Sequence, residues 1–124
     1  MRNPRLSRIA ILLAFTPSLC TAQNQPPQFR LPTFATPVRY SVNLTVIPDK
    51  DTFTGTVDID LNYKEASSVL WLNAEKITVK GGTLTSGGRA LQAKVIFEPK
   101  DLVGFSFDSP VPPGPAQFHV EYEG

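Results

Sequence analysis

The sequence predicts an all-β protein, an antiparallel sheet or sandwich, and three observations carry that expectation. Apolar residues recur at every second position over several runs, the runs end in turn chemistry, and no long stretch keeps a helical period. A period of two places alternate side chains on opposite faces, so each run has one apolar and one polar side. Only "NYKEASS" (62–68) leans toward helix, and it is too short to hold one.

The first 22 residues stand apart from this pattern. Arg2, Arg5 and Arg8 form a basic start, and Ile9 to Phe15 form an apolar run too short to span a bilayer. Small residues Cys20 and Ala22 then occupy the −3 and −1 positions of a cleavage site before Gln23. Residues 1–22 are therefore expected to be a secretory signal peptide, cut between Ala22 and Gln23, with the product exported to a periplasm or to the outside. Pro17 and the polar run after Ala22 argue against a buried helix. Lipid attachment at Cys20 is disfavoured because Leu19, not a small residue, precedes it. Cleavage after Ala22 removes the only cysteine, leaving no disulfide and no thiol chemistry.

Residues 23–37 hold four prolines and no period, and read as an extended lead-in lying along a domain surface. Residues 38–124 read as one β domain. Tyr40, Val42, Leu44 and Val46 alternate with Ser41, Asn43 and Thr45; "PDKD" (48–51) is a turn. Phe53, Val57, Ile59, Leu61 and Tyr63 then alternate with Thr54, Thr56, Asp58, Asp60 and Asn62, which predicts an antiparallel hairpin. "SVLWLNA" (68–74) is apolar almost throughout, as in a strand covered on both faces. Ile77 and Val79 share a face, and Gly81-Gly82 permit a bulge or turn. "SGGR" (86–89) is a tight turn into a strand with Leu91, Ala93, Val95 and Phe97 alternating; "EPKD" (98–101) is the next turn. Phe105 and Phe107 share a face, "SPVPPGP" (109–115) reads as a proline-rich loop, and Phe118, Val120 and Tyr122 face together on a last strand.

The chain after Gln23 carries nine Lys and Arg against eleven Asp and Glu, scattered and net −2. That gives no support to nucleic-acid binding or polybasic membrane attachment, and no transmembrane segment remains. His119 is the single histidine, there is no HExxH and no cysteine pair, so a zinc site lacks its ligands. Asp58 with Asp60, and Glu121 with Glu123, are carboxylate pairs sharing a strand face. They suit calcium or a shared proton in principle, but a solvated polar face explains them. Serines are present without a base that spacing can assign to them, and "KGGTLTSGG" lacks the strand-to-helix setting of a phosphate loop. Asn43-Leu44-Thr45 matches a glycosylation acceptor, a triplet common by chance and placed inside a strand. No catalytic, cofactor-binding or metal residue is assigned.

The order of motifs resembles the amino-terminal domain of the aminopeptidase N family of zinc metallopeptidases. Pro37 shortly before Tyr40, Phe53-x-Gly55-x-Val57-x-Ile59, Leu72-x-Ala74, and Phe118-x-x-x-Tyr122-x-Gly124 carry the likeness, which covers Arg30 to Gly124. The resemblance implies a saddle-like β domain that packs beside a thermolysin-like catalytic domain. It implies zinc, a general-base glutamate and a Gly-x-Met-Glu-Asn motif in that later domain, none of which has a counterpart here. A substrate-amine contact from the first domain would also fall beyond Gly124. On this reading the chain is a fragment, its partners the missing catalytic domain and, in the parent, a peptide substrate. The alternative is a stand-alone secreted β-sandwich binding module, with Trp71, Tyr40 and Tyr63 supplying contacts although their strand positions suggest core; a third is a noncatalytic scaffold of the same descent.

Overall fold

The computed structural model describes residues 26–27, 30–97 and 101–124, so the expected signal peptide and its Ala22–Gln23 cleavage site, and most of the "EPKD" turn, lie outside the described residues. Seven strands follow one another: β1 (Ala35–Val46), β2 (Phe53–Tyr63), β3 (Ser67–Asn73), β4 (Thr78–Ser86), β5 (Arg89–Phe97), β6 (Leu102–Val111) and β7 (Gly114–Glu123). All pairings are antiparallel, within one sheet of order β1-β2-β7-β4-β5-β6-β3. Of the two all-β forms open to the sequence, the chain takes the single curled sheet, a half-barrel, and not two stacked sheets. No helix is found among the described residues, and the 62–68 stretch bends directly from β2 into β3.

The hairpins follow their turn residues. β1 and β2 join through Pro48–Asp51, closed by Lys50 N–H to the Ile47 carbonyl at 3.0 Å, and Val46 stands opposite Phe53. β4 and β5 join through Gly87 and Gly88, at φ of +56° and +75°, the backbone that a two-residue hairpin of the favoured twist requires. A bulge falls between Val79 and Gly81, where two glycines allowed one. The proline-rich loop is shorter than the sequence suggested, because β6 continues through Pro110 to Val111 and β7 starts at Gly114. Pro110 is accommodated inside a strand because it falls in the register shift of the β3–β6 ladder, between Ser106 and Val111. A residue without a backbone donor costs nothing where no ladder bond is made.

Curling closes the apolar faces of most strands on one another. Ile59, Leu61, Leu84, Phe105, Phe107, Val111, Phe118 and Val120 are buried in one cluster. Phe118 sits at its centre, edge-on to Phe105 (centroids 4.9 Å, 80°) and to Phe107 (6.0 Å, 81°), a favoured aromatic geometry. β3 is an edge strand, yet Val69, Leu70 and Trp71 are all buried in succession, as its continuous apolar run predicted. The lead-in docks through Phe34, whose carbonyl accepts from Lys64 N–H at 2.7 Å while its ring packs on Tyr63.

Glycines set the tightness of the curl. Gly104 lies under Trp71, Gly55 under Tyr122 and Gly82 under Phe118; a Cβ at any of the three would stand within 3.0 Å of the ring. Aromatic rings folded over cross-strand glycines let backbones bend closer than side-chain pairs would permit.

β1 departs from the expected burial. Its alternation is as regular as that of β2, but Tyr40, Val42, Leu44 and Val46 remain between 54 % and 62 % exposed. β1 lies at the lip of the half-barrel, past the strands that face each other across the interior.

Candidate functional site

Two regions collect side chains that binding or chemistry would need. On the inner face, Tyr40, Ile59, Leu72, Val79, Phe105 and Val120 contribute to an open hollow of about 230 Å³ that Leu31 of the lead-in also borders. Its walls are mostly hydrocarbon and ring edges, with Asn73 also in the lining. It can receive an apolar group, and its chemistry ends there.

The outer face carries the polar halves of β1, β2, β7 and β4. Asp60 accepts from Arg39 Nε at 2.9 Å and from Gln117 Nε2 at 3.2 Å, one row across three strands. One row along, His119 Nδ1 meets Asp58 Oδ1 at 2.7 Å, and its Nε2 lies 3.9 Å from Glu121 Oε1. Lys80 Nζ pairs with Glu123 at 2.5 Å and Lys94 with Asp108 at 2.8 Å. The rows follow from register: Asp58 is the ladder partner of His119, and Asp60 of Gln117. A groove of about 280 Å³ runs beside them past Asn43, Thr45, Thr54 and Thr56, so the acceptor triplet of 43–45 lies on this exposed surface.

His119 and Asp58 do not complete a nucleophile–base set among the described residues. A His–Asp pair needs a nucleophile on the other imidazole nitrogen, and that nitrogen faces Glu121 instead. Asp58 and Asp60, and Glu121 and Glu123, share a strand face as spacing required; Asp60 engages Arg39 and Gln117, Glu123 engages Lys80, and Asp58 meets the His119 imidazole. Among the described residues no group of three or more His, Cys, Asp or Glu is disposed to hold a metal ion. A zinc ion therefore finds no fitting donor set here, and no step of metal chemistry can be placed on these residues.

One perturbed group lies inside. Tyr63 is buried, and removal from water pushes its phenol well above the usual tyrosine range; its hydroxyl finds no partner. Nothing in the sequence marked that hydroxyl, because Tyr63 continues the apolar alternation of β2. Of the three aromatics considered for binding, Trp71 and Tyr63 are core and only Tyr40 is exposed.

The described residues form a curled antiparallel sheet with a packed interior and a solvated outer face, a β-domain of half-barrel form. Residues 36–124 match the family model described as the Peptidase M1 N-terminal domain, and the chain belongs to that family. It is similar to Aminopeptidase A of Gloydius brevicauda, 30 % identical over 85 % of this chain and 12 % of that protein. It is similar also to Aminopeptidase M1 of Arabidopsis thaliana, 33 % identical over 77 % of this chain and 12 % of that one. The M1 zinc metallopeptidase of Deinococcus radiodurans has the same fold over 76 % of this chain and 21 % of its own, with a TM-score of 0.60 and 19 % identity. The chain thus spans about an eighth of the length of the curated relatives it matches. The amino-terminal aminopeptidase domain that the motif order suggested is the domain observed.

Proposed function

We propose that this chain is the noncatalytic amino-terminal β domain of an exported zinc aminopeptidase, a parent that removes N-terminal residues from peptides. The observation that carries the reading is the family match over residues 36–124 in a chain without any catalytic constellation among its described residues. The domain's part is to pack against the catalytic domain and help wall the substrate cavity. The exposed apolar strip of β1 and the open inner hollow are surfaces suited to such packing. Zinc and its ligands belong to the parent's remaining length. The relatives include aminopeptidases of more than one name, so a residue preference does not pass to this chain. Export rests on the layout of residues 1–22, with Gln23 as the first residue of the product.

The test is to read the coding frame beyond codon 124 and assay the product. A frame that continues, and whose purified product releases N-terminal residues in a chelator-sensitive way, supports the reading. A true stop, confirmed by the intact mass of the secreted chain, leaves the stand-alone binding module instead. Amino-terminal sequencing of the exported product tests the signal: a start at Gln23 supports it, and an intact Met1 contradicts it.

A further inference from the structure

We propose that Gln23, as the first residue left by export, closes on its own α-amine to a pyroglutamate, so that the mature chain presents a capped start that aminopeptidases do not trim. The proposal rests on the export reading above. Gln23 lies outside the described residues, and its place in the sequence and its covalent chemistry are what matter here.

A cut between Ala22 and Gln23 frees one α-amine, and it frees it on a glutamine. An α-amine ordinarily loses its proton at about pH 7.7–8.0, so near neutral pH part of it is the uncharged nucleophile. That nitrogen attacks the side-chain Cδ of the same residue. The N–Cδ bond forms, the Cδ–Nε2 bond breaks, and Nε2 leaves as ammonia with a proton from the amine. The product is a neutral lactam. The step is intramolecular, with both groups held on one residue, and it needs no oxidant, reductant or second reactant. Position is decisive. A cut one residue later would expose Asn24, whose shorter side chain could close only to a strained β-lactam, and the nitrogens of Gln25 and Gln28 are tied up in peptide bonds.

What lies behind the cap gives it a use. Pro26, the first described residue, is exposed. From Leu31 on the lead-in belongs to the fold: Leu31 borders the inner hollow, the Phe34 carbonyl accepts from Lys64 N–H at 2.7 Å, and the Phe34 ring packs on Tyr63. Trimming from the front therefore runs toward residues that the domain uses. An enzyme that removes N-terminal residues grips the charged α-ammonium of its substrate through charge-assisted hydrogen bonds. A lactam N–H is neutral and offers a single donor, so a site built for the ammonium leaves its own polar groups unpaired against it. Copies of an exported aminopeptidase meet one another's starts, and a cyclised start removes this chain from the pool they act on.

Mass spectrometry of the exported product of the full reading frame, made with its own residues 1–22, tests it. Trypsin releases the start as residues 23–30, because Arg30 is the first Lys or Arg after Ala22. That peptide is expected one ammonia lighter than its sequence. A synthetic peptide of residues 23–30, carried through the same handling, should keep its free amine. A start at Gln23 with an intact amine, or a ring no more abundant than in the synthetic control, overturns the proposal and leaves export standing. A start at Met1 or at any residue other than Gln23 overturns both. Gln23→Ser keeps a small residue after the cut and cannot cyclise. Incubated with a broad-specificity zinc aminopeptidase, the Gln23→Ser product is expected to lose its first residues while the native product keeps its full mass. Equal trimming of the two overturns the protective role.

Discussion

The indole of Trp71 lies across Gly104, so that a Cβ built on Gly104 would stand 2.5 Å from Cζ3 and 2.7 Å from Cη2. The two residues are direct partners in the β3–β6 ladder, and Trp71 is 4 % exposed. Gly104→Ala is therefore expected to destabilise the domain by about 1–3 kcal/mol through overpacking, read as a lower urea midpoint. An unchanged midpoint would show that the ring has a second resting place.

Phe118 closes the centre of the core with no measurable exposure, edge-on to two other phenylalanines. Phe118→Ala removes the transfer energy and both ring contacts, at a cost of about 3–5 kcal/mol. Domains of this size hold about 5–15 kcal/mol in total, so the variant should lose most of its cooperative melting. Leu44→Ala, on the exposed lip, should shift stability by no more than about 0.5 kcal/mol.

Tyr63 gives the domain a specific weakness to alkali. Its phenol is held above the ordinary value by burial, so on raising the pH the unfolded chain ionises first and holds fewer protons than the folded one. Stability then falls as pH rises past about 10, the ordinary tyrosine value. Tyr63→Phe removes that component along with a hydroxyl that has no partner. The difference in melting temperature between the two chains should widen in favour of the Phe variant above that pH. A constant difference would mean that Tyr63 titrates alike in both states.

The β4–β5 turn needs a backbone that side chains resist. Gly88 stands at φ +75° with open space around it, so only conformation opposes a substitution. Gly88→Ala is expected to cost about 1–2 kcal/mol, and Gly88→Asn clearly less, since Asn tolerates the left-handed region. Equal melting temperatures for the two variants would place the turn under no such demand.

Much of this was legible beforehand. β2 runs over the residues its alternation marked, Gly87-Gly88 turn the chain where their dipeptide said, and the triple burial of Val69, Leu70 and Trp71 follows from an apolar run without alternation. The outer rows of the sheet were legible as well, because Asp58, Asp60, Glu121 and Glu123 could only share a polar face. Less was legible where pairing between distant strands decides. Pro110 reads as loop until the β3–β6 register places it where no bond is made. Nothing in the alternation of Phe118, Val120 and Tyr122 says which strands flank them, and only the fold places β7 between β2 and β4 in the middle of the sheet.

The sequence by itself determined the strands, most of their turns, and the division into an apolar and a polar face. These depend on local geometry, on which side of a strand each residue points, and on which residue types the chain contains. The tertiary structure alone decided which apolar faces are covered. Val42 and Val57 are ladder partners with the same chemistry on the same face, but Val57 turns toward the opposite wall of the curl and Val42 toward water. Alternation specifies that a face is apolar; only the closing of the sheet specifies what it meets.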